Sequence, residues 1–585
     1  MESIQYRITP SRPQAHVFTV SCRVAHPDPA GQVFTLPAWT PGSYLIRDFA
    51  RQVLRFEARS PDGTVAVRKL DKSSWRCAPC AGPLTVEYDV YGWDDSVRAA
   101  WLDGTRGFFN GSAVFVQPRG HERLAVALDL EPPQGVDAAH WRVATTLRPA
   151  GAEPWGFGRY AADDYADLID HPVELGEFEV VEFAAGGVPH QLVLSGRHRA
   201  DTQCLAADLA RICTQQIELF GAPPPMARYL FLVRVVKKGY GGLEHRDSTA
   251  LICAREDLPV RGENKMTRGY RSFLGLCSHE YFHLWNVKRI QPQVFATADL
   301  AHEVYTEDLW AYEGVTSYYD ELTLVRAGLI DLAGYCEMLA EAATRLWRTP
   351  GRRRQSLAES SFDAWTKFYR PDENTPNAVL SYYNKGALVA LCLDLKLRLD
   401  SGGRCDLDQV MRALWQRYGQ PGVPVPERGL EAMAQECSGL DLRDFFACLV
   451  RGTEDPPLAE LLSAFGIEAQ LCQAPGGGAY LGLRLAPGGT QVQHVLDGTP
   501  AQAAGLSAGD VLVAFDGLRV EGQELDRLLA ASVPGARVRV HAFRRDELMD
   551  FEVVLGERPA DTWLLRPCAD PDAETLARRR SWLRQ

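Results

Sequence analysis

The sequence predicts a multidomain protein: an all-β N-terminal domain, an α+β domain whose second half is helical, and a small separate C-terminal module. Three observations lead there. The chain has 585 residues, too many for one hydrophobic core. Short apolar runs at period two fill residues 1–170, and a 3.6-residue period dominates from about residue 200 onward. A glycine-rich break, Ala474-Pro475-Gly476-Gly477-Gly478, precedes a further set of short strands. The expected boundaries are 1–170, 171–470, 471–560 and a tail at 561–585.

The elements follow in order. Met1-Glu2-Ser3-Ile4-Gln5-Tyr6-Arg7 lacks a basic stretch leading into an apolar core, so it reads as a first strand and not as a signal peptide. Strands are expected over 15–24, 53–58, 84–90, 113–117 and 124–130, with Gly, Pro and Asp between them. They imply an antiparallel sandwich or saddle-like sheet. An amphipathic helix is expected over 201–219, stopping before Gly221 and the prolines at 223–225. A strand over 229–236 and a helix beginning near Met266 come next. Helices over 309–326, 332–346, 387–399 and 407–418 make the second half α-helical. Residues 572–583 read as a basic terminal helix.

Composition narrows the function classes. Apolar residues make up 46% and charged residues 24%, ordinary for a globular protein. A net charge of −12 argues against a broad nucleic-acid surface. No apolar run is long enough for a transmembrane helix, so no membrane partner is expected. The 14 cysteines are scattered, and the one CxxC, Cys77-Ala78-Pro79-Cys80, has no second pair or nearby His to complete a zinc site. A cytoplasmic location is the resulting expectation.

Chemistry concentrates at 279–283, His-Glu-Tyr-Phe-His. Histidines at i and i+4 project from one face of a helix, so His279 and His283 can hold two corners of a tetrahedral zinc site. Glu280 between them can reach a zinc-bound water. A third ligand is needed. The preferred candidate is Glu313, in Glu313-Gly314-Val315-Thr316-Ser317-Tyr318, where the acid stands in an amphipathic helix; Glu303 and Glu307 compete. The fourth position is then left to water, whose pKa zinc lowers to roughly 7. Glu280 would take its proton and deliver it to the leaving amine. Asp320, two turns beyond Glu313, is the candidate partner for a ligand's second N–H.

His-Glu-Tyr-Phe-His-Leu-Trp-Asn-Val-Lys-Arg-Ile, followed by Glu-Gly-x-Thr-x-Tyr-Tyr, resembles the glycyl aminopeptidase family of zinc peptidases. So does Leu36-Pro37-Ala38-Trp39-Thr40-Pro41-Gly42-Ser43-Tyr44, which resembles that family's N-terminal domain. The resemblance implies a gluzincin related to aminopeptidase N, with a thermolysin-like catalytic domain, one zinc ion per chain and a C-terminal PDZ domain. Two further segments are read through it. Gly241-Gly242-Leu243-Glu244-His245 resembles the Gly-x-Met-Glu-Asn segment of aminopeptidase N relatives, in which a strand edge aligns the substrate and Glu binds its α-amino group. That implies substrate-binding roles for Gly242 and Glu244, although Leu243 and His245 depart from the pattern. Tyr383-Asn384-Lys385-Gly386 resembles Tyr-x-Lys-Gly, whose tyrosine stabilises an oxyanion; this implies that role for Tyr383, with Tyr382 as the alternative.

In the C-terminal module, Tyr480-Leu481-Gly482-Leu483 resembles a PDZ carboxylate loop, and residues 498–512 the turn and short helix after it. A strand over 513–516 and a groove helix over 521–531 complete the set. Such a groove can add a peptide as a strand and hold its C-terminus, here on Leu481, Gly482 and Leu483. The leading expectation is a zinc aminopeptidase acting on peptides with small first residues, Gly or Ala. A zinc endopeptidase that docks substrates on the PDZ domain and a catalytically silent PDZ adaptor are the alternatives.

Overall fold

The computed structural model describes residues 4–263, 265–521 and 524–584. The chain divides into two compact units, one of residues 1–304 with 411–426 and one of 305–410 with 427–585. No helix among the described residues is long and apolar enough to cross a membrane.

The first unit opens with an eight-stranded sheet. Its first strand, Ile4–Arg12, buries Ile4, Tyr6 and Ile8 and turns Gln5 and Arg7 outward, as period-two patterning requires. It pairs antiparallel with Val17–Val24 and parallel with Val126–Leu130. The strand expected over 113–117 does not form: Gly111–Val114 is a short helical turn, and strand pairing begins only at Gln117–Pro118. The reason is tertiary. The carbonyls of Val114, Phe115 and Val116 accept hydrogen bonds from the hydroxyls of Tyr88, Tyr165 and Tyr6, at 2.7 Å each, so this backbone is satisfied without a ladder.

A five-stranded sheet follows: β1 (Phe178–Ala185), β2 (Val188–Ser195), β3 (Tyr229–Val236), β4 (Tyr240–Glu244) and β5 (Ser248–Ala254), in the order β1-β2-β3-β5-β4. Strand β4 therefore lies at an edge, antiparallel to β5, with Gly242 opposite Leu251 and Glu244 opposite Thr249. Two helices flank the sheet. Helix α1 (Thr202–Phe220) is capped by the Asp201 side chain and stops at Gly221. Helix α2 (Arg268–Phe282) is capped by Thr267. The buried Gln216 amide on α1 donates to the Ser278 carbonyl and hydroxyl, both at 2.9 Å, and so sets α2 against α1.

In the second unit, a π-helical turn (Trp310–Gly314) runs into helix α3 (Val315–Arg326). Leu332–Trp347 and helix α4 (Tyr382–Asp400) pack beside it. Helix α4 starts earlier than expected, with Ser381 as its cap. A Cβ on Gly314 would lie 2.6 Å from the Cα of Gly386, so two glycines let the turn and α4 touch backbone to backbone. The C-terminal module has a four-stranded sheet around its own core. The predicted groove helix appears as Glu524–Ala531; residues 522–523 lie outside the described residues. The last segment returns to the helices. Ala560–Pro567 pairs with Ile467–Gln473, and the terminal helix, Ala573–Leu583, buries Trp582 completely. The Trp582 indole donates to the Tyr318 hydroxyl at 2.9 Å, and Arg584 reaches the buried Asp408 at 2.8 Å.

Candidate functional site

In the first unit the site grows from the end of α2. The rings of His279 and His283 stand nearly perpendicular, and their Nε2 atoms converge to 3.0 Å. The helix ends at His283, and the returning chain brings the Asn286 carbonyl to 2.7 Å from His283 Nδ1. That contact places the proton on Nδ1 and leaves Nε2 as a ligand atom. Two imidazole nitrogens this close fit neighbouring positions around one small cation. Val287, just past the turn, has φ 145°, a value that a β-branched residue rarely adopts.

Strand β4 supplies the next layer. Glu244 is buried, and its carboxylate lies with Glu280 and His283 in a group whose donor atoms are all within 4.8 Å of one another. Gly242 passes directly over the base candidate: a Cβ there would lie 2.1 Å from Glu280 Oε1. The segment is thus an edge strand carrying a buried acid, and not a surface turn. His245 is buried 3.5 Å from Asp170 Oδ1, and Asp170 also accepts from Lys288 Nζ at 2.5 Å and from the Arg246 N–H at 3.0 Å. Burial works against the charge of Asp170, but the Lys288 ammonium holds it well below the usual carboxylate range. Asp170 therefore ties the turn after β4 to the segment after α2. No local pattern singled it out, because its partners lie far along the chain. A cleft of about 790 Å³ opens beside Glu244 and His245, lined also by Trp39, Gly42, Tyr44 and Lys288.

In the second unit, Glu313 is buried in the π-helical turn, and Asp320 is half-buried on α3. Its competitor Glu307 is engaged elsewhere, 3.1 Å from Arg428. Tyr382 and Tyr383 stack at 4.6 Å, but they differ in access. Tyr382 is fully buried, whereas Tyr383 is half-buried with its hydroxyl 3.0 Å from that of Tyr369. Burial lowers the Lys385 ammonium to about 8.

Upstream of Glu313, burial and the neighbouring Glu427 push the Asp308 carboxyl up to about 7. A carboxyl raised in the folded state adds stability below the ordinary carboxylate range and loses it progressively from there up to about 7. Asp308→Asn is therefore expected to melt modestly above wild type at pH 5 and by a larger margin at pH 8. Thermal unfolding at the two pH values checks this, and an equal gap at both would contradict it.

In the C-terminal module, Leu481 is buried and Gly482 has φ 83°. A Cβ on Gly482 would lie 2.2 Å from Thr499. The Leu481 and Gly482 carbonyls accept from the N–H groups of Ala501 and Leu496, and Leu483 begins the strand Leu483–Leu485. The loop is thus wrapped over the short helix Pro500–Ala503.

Comparison with known proteins adds the following. Residues 5–177 match the Peptidase M61 N-terminal domain, 272–389 match M61 glycyl aminopeptidase, and 473–555 match a PDZ domain. A solved structure described as an aminopeptidase N family protein, from Idiomarina loihiensis, is 40% identical. It covers 99% of this chain and 100% of its own, with a TM-score of 0.94. An M1 zinc metallopeptidase from Deinococcus radiodurans is 15% identical over 78% of this chain and 95% of its own, with a TM-score of 0.49. A probable periplasmic serine endoprotease DegP-like protein from Hahella chejuensis is 38% identical over 76 residues, 13% of this chain and 16% of that relative's length.

Proposed function

The chain belongs to the M61 glycyl aminopeptidase family of metallopeptidases, and from that premise we propose that it is a zinc aminopeptidase releasing small first residues, Gly or Ala, from peptides. The observation that carries this reading is the buried Glu244 carboxylate on an edge strand, grouped with Glu280 and His283 within 4.8 Å. A carboxylate there is a natural partner for a substrate's free ammonium.

His279, His283 and Glu313 are the proposed ligands of one zinc ion per chain, with Asp320 as a carboxylate that orients a ligand. The donor set, two imidazoles and a carboxylate, is one that zinc accepts in catalytic sites. The ion, when bound, supplies a Lewis acid that polarises the scissile carbonyl and acidifies water. Glu280 takes a proton from the attacking water and passes it to the leaving nitrogen. Tyr383, neutral near pH 7, donates a hydrogen bond to the carbonyl oxygen as charge builds on it. The edge of β4 beside Gly242 aligns the peptide backbone. Glu244 holds the α-amino group and so places the first peptide bond, and no later one, at the reacting centre. For the C-terminal module the proposed ligand is a peptide C-terminus on Leu481, Gly482 and Leu483. A cytoplasmic location belongs to the same proposal.

The test compares a glycyl amide with its N-acetylated form. The free-amine substrate should be strongly preferred; equal rates would sink the aminopeptidase reading and favour an endopeptidase. Hydrogen bonds to a charged group are worth about 1.5–3 kcal/mol. Glu244→Gln is therefore expected to raise KM for the glycyl amide by roughly 10- to 100-fold.

A further inference from the structure

We propose that the N-terminal β-domain supplies two positioning residues, Gly42 and Arg98, that hold Glu244 and strand β4 in the placement that receives a free α-amino group. The inference rests on the aminopeptidase reading above. It assigns to the β-domain a direct part in substrate selection.

Gly42 sits in the 39–44 loop with φ 91°. A Cβ built on it would lie 2.4 Å from Glu244 Oε1 and 2.6 Å from both Cδ and Oε2. The bare Cα is thus packed on the carboxylate, and no side chain fits between them. On the same strand, Arg98 Nη2 donates to the Gly242 carbonyl at 2.9 Å. The two contacts are one assembly. The Thr40 hydroxyl donates to the Arg98 carbonyl at 3.1 Å and shares a 2.7 Å hydrogen bond with Ser112. The loop is also braced from the peptidase side, where the Trp39 indole donates to the His302 carbonyl at 2.9 Å.

The consequence is steric. With Gly42 against it, the Glu244 carboxylate has no room to withdraw toward the β-domain and stays beside Glu280 and His283. Arg98 holds the carbonyl at Gly242, so the edge strand keeps one register relative to Glu280.

The experiment uses the zinc-loaded full-length protein with the glycyl amide and its N-acetylated form. Gly42→Ala is expected to raise KM for the free amine by about tenfold or more, to change kcat by less than about threefold, and to lower selectivity in proportion. In a Glu244→Ala background the same change should alter KM less than about twofold, because Gly42 acts through that carboxylate. Equal losses in both backgrounds, or unchanged selectivity, would overturn the inference. Arg98→Met gives a second line should Gly42→Ala not fold. It should raise KM with zinc content intact, Arg98→Lys should recover part of the loss, and an unchanged KM would count against the proposal. Were the wild type to cleave both substrates equally, the aminopeptidase reading itself would fall. Wild-type selectivity that survives in Gly42→Ala would sink only the present inference.

Discussion

Glu280→Gln is expected to lower kcat by about 10²- to 10⁴-fold, the range for loss of a positioned acid–base group, while zinc stays at one per chain. The two halves of that result come from different atoms. His279 and His283 offer ring nitrogens that converge to 3.0 Å, and Glu280, next to His279 in sequence, is grouped instead with Glu244 and His283. Gln preserves the shape under Gly242, whose Cα lies over this carboxylate, so strand β4 should not shift. It removes only the capacity to take and return a proton. Steady-state kinetics with metal analysis on the same sample checks both halves. Full activity would overturn the mechanism, and loss of zinc together with activity would move Glu280 into the ligand set.

Glu313→Ala should strip the zinc. A ligand carboxylate contributes directly to the ion's charge balance, so its removal should weaken binding by more than the roughly 10- to 100-fold that loss of a partner behind a ligand costs. Activity should fall with occupancy. Glu307→Ala is the control: that side chain pairs with Arg428, and the variant should keep its metal. Glu303 is the remaining competitor from the same stretch. Zinc retained in Glu313→Ala and lost in Glu303→Ala or Glu307→Ala would transfer the assignment. Because Glu313 is buried, the variant's melting temperature should be read in the presence of chelator. That separates loss of metal from loss of packing.

Much of the fold was legible because its elements carry either a continuous apolar run, as in β3, or an amphipathic face, as in α1. Strand β3 spans the residues expected of it, and α1 lies within a residue of its expected span. The 113–117 segment misled because its apolar run is buried for another reason. Tyrosines from two distant strands and a helix satisfy its carbonyls, and period-two reading is blind to such partners. The terminal helix shows the same limit. In the sequence it reads only as a basic helix, yet Trp582 is fully buried and Arg584 pairs with buried Asp408.

The candidate site divides along the same line. The sequence by itself determined the pairing of His279 with His283 and the place of Glu280 between them, because helical periodicity is local and needs no other part of the chain. Only the tertiary structure decided that Glu244 stands beside Glu280, that Asp170 joins the turns after β4 and α2, and that Gly42 packs on the Glu244 carboxylate. Those contacts join residues far apart in the chain. They arise when burying the β-domain and sheet cores closes the intervening loops, and no spacing rule encodes that closure.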